Sequence, residues 1–182
     1  MNQILIILAD GFEEIEAVTI IDLLRRVELD VTVVGLGGLK ITGSHKITVF
    51  CDAIFEDIQS NQYDYLILPG GQPGTNNLKN SPNVLDLVKN FYKQKKIIAA
   101  ICAAPTVLYA AGILERKKVT SFPADKDVFN NSYYLEDNVV EDDRIITSRG
   151  VGTAIDFSLY LIEKIKGNKD RNELATRILY SG

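Results

Sequence analysis

Residues 2–24, NQILIILADGFEEIEAVTIIDLL, change from one hydrophobic period to another across a single turn. Asn2 to Ala9 is an almost unbroken apolar run, the pattern of a strand buried on both faces of a parallel sheet. Asp10-Gly11 turns the chain. Ala17, Ile20, Ile21 and Leu24 then fall at i, i+3, i+4 and i+7, which is one face of a helix. A strand with no polar face, followed at once by an amphipathic helix, opens an α/β alternation.

The rest of the chain continues it. Val31 to Leu36 reads as a second strand. Gly37-Gly38 and Gly43 mark a hairpin excursion that returns through Ile47 to Cys51. Tyr65 to Leu68 is a buried strand ended by Pro69-Gly70-Gly71. Ser81-Pro82 is a helix start, an N-cap serine with proline at the first helical position, and Val84, Leu87, Val88 and Phe91 supply the apolar face. Ile97 to Ile101 predicts a strand that runs straight into a small-residue helix at about residues 103–111. A short strand is expected at Val119 to Phe122. Val139-Val140 and Ile145 to Ser148 should flank an acidic, solvated tip at Glu141-Asp142-Asp143. Thr153 with Asp156, and Asp170 with Glu173, have the spacing of capping boxes for two final helices. The sum is a mostly parallel sheet with helices on both faces. With no repeat, linker or low-complexity stretch, residues 1–182 are expected to form a single domain.

Composition narrows the function. Apolar residues are 46% and charged residues 24%, with a net charge of −4 and no basic stripe, which weighs against a nucleic-acid groove. The longest unbroken apolar run, Ile97 to Ala104, is far too short to cross a membrane. The first residues lack the basic segment of a signal peptide. Two cysteines make no disulfide framework, so a reducing, cytoplasmic setting is expected.

In doubly wound sheets chemistry gathers at the carboxyl ends of the strands. Asp10 to Glu16, Pro69 to Asn76 and Cys102 to Pro105 all lie there. Cys102 sits where strand becomes helix, with Ala100 before it and Ala104 after it, small residues that allow the tight turn of a nucleophile elbow. At a helix start its thiol pKa would be lowered. The alternative is a buried cysteine acting as a small hydrophobe. Gly70-Gly71 lets backbone N–H groups approach an oxyanion, although a plain loop fits as well. Glu13, Glu14 and Glu16 open the first helix, where carboxylates complement the dipole. One of them buried beside Cys102 would become a proton carrier, and spacing does not choose which. His45 is the only histidine and falls in a polar hairpin, so it reads as a surface residue. A Cys-His hydrolase therefore lacks its base, and no His/Cys cluster suggests zinc. Cys51 reads as structural or interface-lining. Arg25 and Arg26 read as complements to the C-terminus of the first helix.

Gly11-Phe12-Glu13-Glu14-Ile15-Glu16, Leu68-Pro69-Gly70-Gly71, Ala99 to Pro105 and Thr147-Ser148-Arg149-Gly150 together resemble the DJ-1/ThiJ/PfpI family, with the closest likeness to its bacterial YajL-type branch. The resemblance runs from residue 2 to about residue 180. It implies a flavodoxin-like three-layer sandwich with a nucleophile elbow, and a homodimer. It implies that Cys102 is the reactive cysteine and that Glu16 is a buried, protonated carboxyl bonded to the sulfur. The oxyanion donors would be the N–H groups of Gly71 and Ala103, next to Gly70. Arg25 or Arg26, and Arg149, would line or support the dimer-facing rim of the pocket. Two departures matter. The protease members carry His directly after the cysteine, where this chain has Ala103. Some branches place a His where this chain has Phe122.

The resemblance thus implies an enzyme of small reactive aldehydes or glycated substrates, a glutathione-independent glyoxalase or deglycase needing no cofactor and no metal. The competing expectation is a redox sensor or oxidation-dependent chaperone built on the same cysteine. A cysteine hydrolase or amidase is disfavoured by the missing histidine.

Overall fold

The computed structural model describes Asn2–Ser181. In chain order the strands and α-helices are β1 (Gln3–Leu8), α1 (Glu14–Arg26), β2 (Asp30–Gly35), β3 (Lys40–Thr42), β4 (Thr48–Phe50), β5 (Ala53–Ile54), β6 (Tyr65–Leu68), α2 (Gly74–Lys79), α3 (Pro82–Lys93), β7 (Ile97–Ile101), α4 (Pro105–Ala110), β8 (Lys118–Val119), β9 (Tyr133–Tyr134), β10 (Val139–Asp142), β11 (Ile145–Ser148), α5 (Ala154–Lys166) and α6 (Asn168–Arg177). Seven strands make one sheet in the order β10-β11-β7-β6-β1-β2-β5. Every pairing in it is parallel except β10 with β11.

The apolar run in β1 behaves as its composition requires. Ile4, Ile6 and Leu8 face one core, with α1, α5 and α6. Leu5 and Ile7, with Ala9 just beyond the strand, face the other, with α2, α3 and α4. Alternation along a strand sends successive side chains to opposite faces, so a strand covered on both sides has no polar position. The result is the three-layer flavodoxin-like sandwich expected from the sequence. The chain winds from β1 toward β2 and β5 on one side, then returns to place β6 and β7 on the other. That reversal beside β1 opens a crevice at the carboxyl ends of β1, β6 and β7.

Several local expectations are corrected. α4 begins at Pro105, not 103, because proline takes the first helical position and residues 102–104 form the turn. The strand expected to reach Phe122 ends at Val119, because the Thr120 N–H donates to the Thr147 hydroxyl and the Phe122 N–H to the Cys102 carbonyl rather than to a neighbouring strand; a 3₁₀ turn follows at Pro123–Val128. The acidic residues are not a free tip. Glu141 and Asp142 lie in β10, Lys164 pairs with Glu141 at 2.8 Å, and Lys117 spans Asp142 and Asp143 at 3.4 and 3.5 Å. The turn itself is Asp143-Arg144, with Asp143 at φ 58°. Thr153 precedes α5 without capping it, and its hydroxyl instead accepts from the N–H groups of Arg149 and Gly150. Asp170 lies inside α6, which follows Gly167, and it pairs with Lys166. Ser81 does cap α3, accepting from the Val84 N–H. Cys51 is buried within the core on the α1 side. Among the described residues no helix is long and apolar enough to cross a membrane.

Candidate active site

Cys102 occupies the turn between β7 and α4 at φ 63°, a left-handed conformation that is uncommon for any residue with a Cβ. Two long-range bonds hold it there. Its N–H donates to the Ser148 carbonyl at 3.0 Å, and its own carbonyl accepts from the Phe122 N–H at 2.8 Å. A strained backbone fixed from both sides aims the sulfur outward, away from the sheet.

Two glycines at the end of β6 make room for it. A Cβ on Gly70 would lie 2.6 Å from the Cys102 Cβ and 2.8 Å from Glu16 Oε2. Gly71 has φ 94°, and a Cβ there would lie 2.2 Å from the Glu13 N. The close approach of three segments therefore requires both residues to be glycine. The N–H groups of Gly71 and Ala103 lie beside the Cys102 sulfur and favour its ionised form.

Of the three carboxylates opening α1, Glu13 and Glu16 both line the pocket, and it is Glu16 that reaches the thiol. It is fully buried. Its Oε2 accepts from the Gly70 N–H at 2.9 Å, while Oε1 finds no well-formed hydrogen bond and faces the thiol. Burial pushes the Glu16 carboxyl up to about 7, against the bonds from Cys102 and Gly70 and with help from the nearby Glu13 charge. Burial likewise pushes the Cys102 thiol up to about 12, reinforced by the charge and hydrogen bond of Glu16 and opposed by the N–H groups of Ala103 and Gly71. Desolvation and the neighbouring carboxylate thus raise the thiol, in the direction opposite to the lowering expected at a helix start, and α4 itself begins three residues later. Protonation of Glu16 would remove the charge by which it opposes a thiolate.

The pair opens into a pocket of about 760 Å³, walled by Phe122, Pro123, Asp125, Arg149 and Gly150. Arg149 lines it and donates to the Glu136 carbonyl at 2.6 Å. Arg26 is not part of it. Ten residues along α1 from Glu16 is a rise of about 15 Å, and Arg26 pairs with Asp22 at 2.6 Å. Arg25 instead binds Asp52 at 2.8 Å and the Val31 carbonyl. Thr153 was read from the sequence only as a helix cap. Its role in pinning the 149–150 turn was legible only as a threonine three residues after Gly150, the spacing of a side-chain-to-backbone turn.

Glu13, Glu14 and His45 bring ligand atoms within 4.8 Å of one another. Glu14 is already saturated there, accepting from the N–H groups of His45 at 2.6 Å and Ile47 at 3.3 Å and from the Ser44 hydroxyl at 3.2 Å. His45 itself is 72% exposed, as a surface hairpin residue should be.

A cysteine elbow, a buried carboxyl and converging N–H groups at the switch point of a doubly wound sheet define a class of thiol-dependent α/β sites. The chain belongs to the DJ-1/PfpI family, whose model matches residues 2–164. It is 40% identical to protein dj-1beta of Drosophila melanogaster over 178 residues, 96% of this chain and 95% of that protein. The crystal structure of Drosophila DJ-1beta superposes with a TM-score of 0.96 at 39% identity, covering 100% of each chain. The chain is 34% identical to a Caenorhabditis elegans protein named glutathione-independent glyoxalase DJR-1.2, across 95% of this chain and 93% of that one. Against protein DJ-1 homolog B of Arabidopsis thaliana it is 36% identical over 97% of its own length but spans only 41% of that protein.

Proposed function

We propose that the protein converts small 2-oxoaldehydes such as methylglyoxal to 2-hydroxy acids without glutathione, with Cys102 as nucleophile and Glu16 as proton carrier. The observation that carries this reading is a fully buried carboxyl beside the Cys102 thiol, raised to about 7, with one of its oxygens otherwise unpartnered. A group poised near neutrality both accepts and returns a proton efficiently. The C. elegans relative named as a glyoxalase supports the same reading.

The sulfur bonds to the aldehyde carbon, and the thiol proton passes to the aldehyde oxygen, giving a hemithioacetal. The N–H groups of Gly71 and Ala103, beside the sulfur, would also stabilise the negative charge that develops on the aldehyde oxygen as the C–S bond forms. Ionised Glu16 removes the proton from the sulfur-bearing carbon and returns it to the adjacent carbonyl carbon, while the hydroxyl proton of the hemithioacetal moves to the adjacent carbonyl oxygen. The first carbon is thereby oxidised to a thioester and the second reduced to an alcohol, so no external redox partner is needed. Water cleaves the thioester, releasing lactate and the thiol. On a glycated adduct, Cys102 would displace the bound amine or thiol from the same carbon, releasing it and giving the same hemithioacetal, which is deglycase activity.

A redox sensor using Cys102 has less support, since such sensors rest on an acidified, accessible thiol, and this one is pushed up and half-buried. Amide hydrolysis finds no imidazole in the pocket, because His45 sits in the hairpin beside Glu14.

The working form is a homodimer. Ile15 and Val18 on α1 and Ile47 and Phe50 on the hairpin are 47–79% exposed, an apolar surface larger than single scattered residues. Light scattering should give twice the 20.2 kDa chain mass; a monomer at micromolar concentration would refute this. The function itself is tested by lactate formation from methylglyoxal in glutathione-free buffer. Folded, reduced protein that makes no lactate would overturn it.

A further inference from the structure

Gly150 lines the pocket just after β11, and its backbone gives no reason for a glycine. Its φ of 162° is extended chain that any residue adopts. A Cβ there would meet Phe122 Cδ2 at 3.7 Å, the Cys102 sulfur at 4.0 Å and Glu16 Oε1 at 4.0 Å. All three are ordinary van der Waals separations. At Gly70 and Gly71, by contrast, a Cβ would lie within 3 Å of backbone or of the reacting side chains. The fold demands those two glycines and does not demand Gly150. What the absent side chain leaves is a methyl-sized space in contact with both the sulfur and the unpartnered carboxyl oxygen.

We propose that Gly150 is the specificity-determining residue of this site, keeping open the space for the substituent on the carbonyl carbon next to the one Cys102 attacks. The inference rests on the carbonyl reading above and deepens it. A group in van der Waals contact with sulfur is not the carbon bonded to it but one further along the substrate. The same space touches Glu16, which must reach both carbons to carry a proton between them. The substrate class is therefore a 2-oxoaldehyde bearing a small alkyl group on its keto carbon, and an alanine methyl at position 150 would compete for the place of that group.

The test is Gly150→Ala, which should fold with an unchanged melting temperature because its backbone and contacts are permitted. With methylglyoxal, kcat/KM should fall about tenfold or more, the usual penalty for a misplaced methyl in a shaped pocket. With glyoxal, whose second carbon bears only hydrogen, the loss should be less than about threefold on the same reasoning. Equal losses on both substrates, or none on either, overturn the role of Gly150. A second readout needs no turnover: iodoacetamide leaves an amide one carbon away from the sulfur, so alkylation of Cys102, followed by mass, should slow about tenfold in Gly150→Ala. Hydrogen peroxide, which adds oxygen directly to sulfur, should react at nearly the wild-type rate. Unimpeded alkylation overturns the role of Gly150 itself. Absence of any turnover in wild-type protein overturns the carbonyl reading and the substrate class with it.

Discussion

Glu14 and Glu16 stand two residues apart on the first turn of α1, both buried, and their surroundings make them opposites. Burial pushes both carboxyls up. At Glu14 the bonds from its own N–H, the His45 ring and the N–H groups of His45 and Ile47 outweigh burial and hold it below the usual range. At Glu16 one backbone N–H and a thiol are too few, and the carboxyl stands at about 7. Burial alone therefore does not make a proton carrier. The number of donors aimed at the carboxylate decides, and the hairpin β3–β4 supplies them to one glutamate and withholds them from the other.

The largest expected effect tests whether only one of the pair does chemistry. Cys102→Ser should cut lactate formation from methylglyoxal about a thousandfold or more, as loss of a nucleophile does. Glu16→Gln should cost about 10²- to 10⁴-fold, the usual range for a general acid–base. Glu14→Gln should leave the rate within a fewfold; a loss as large as that of Glu16→Gln would erase the distinction between them.

Stability against pH should separate the two next. The Glu16 carboxyl is raised in the fold, so the folded state binds more protons than the unfolded chain between the ordinary carboxylate value of 4.5 and about 7. Its contribution is present below 4.5 and is lost as pH rises through about 7. Glu16→Gln should accordingly raise the unfolding free energy at pH 8 by up to about 3 kcal/mol, the gain vanishing near pH 4. Denaturant titrations at the two pH values measure it, and a variant no more stable at pH 8 would contradict the assignment.

Glu14 should show the reverse sign. Its lowered carboxyl contributes stability above 4.5 that fades as pH falls through its folded value. Glu14→Ala leaves the His45 and Ile47 N–H groups without their acceptor and should cost about 2 kcal/mol at neutral pH. Thermal melts would show it, together with faster amide exchange in the hairpin. The smallest effect belongs to His45→Ala. Its ring is largely exposed, so the loss should be under about 1 kcal/mol, because the two backbone donors to Glu14 remain.

Much of this was legible in the residues. The unbroken apolar run of β1, the serine-proline start of α3 and the end of β7 just before Cys102 each reflect local rules, and each formed where expected. Other expectations failed where tertiary partners override local preference. Thr153 has the sequence spacing of a helix cap, yet its hydroxyl turns back to the 149–150 turn. Glu141 and Asp142 look like a solvated tip, yet lysines from α5 and from the segment before β8 cover them.

The sequence by itself determined the layers of this protein, because hydrophobic period and turn chemistry act over a few residues and need no distant partner. Cys102 at a strand end, and three candidate carboxylates, were visible in the same way. Which carboxylate carries the proton, and that the thiol is raised rather than acidified, depended on donors and charges brought from four separate segments. Only the tertiary structure decided those points, since desolvation and hydrogen bonding at Glu16 and Cys102 are set by neighbours far away in the chain.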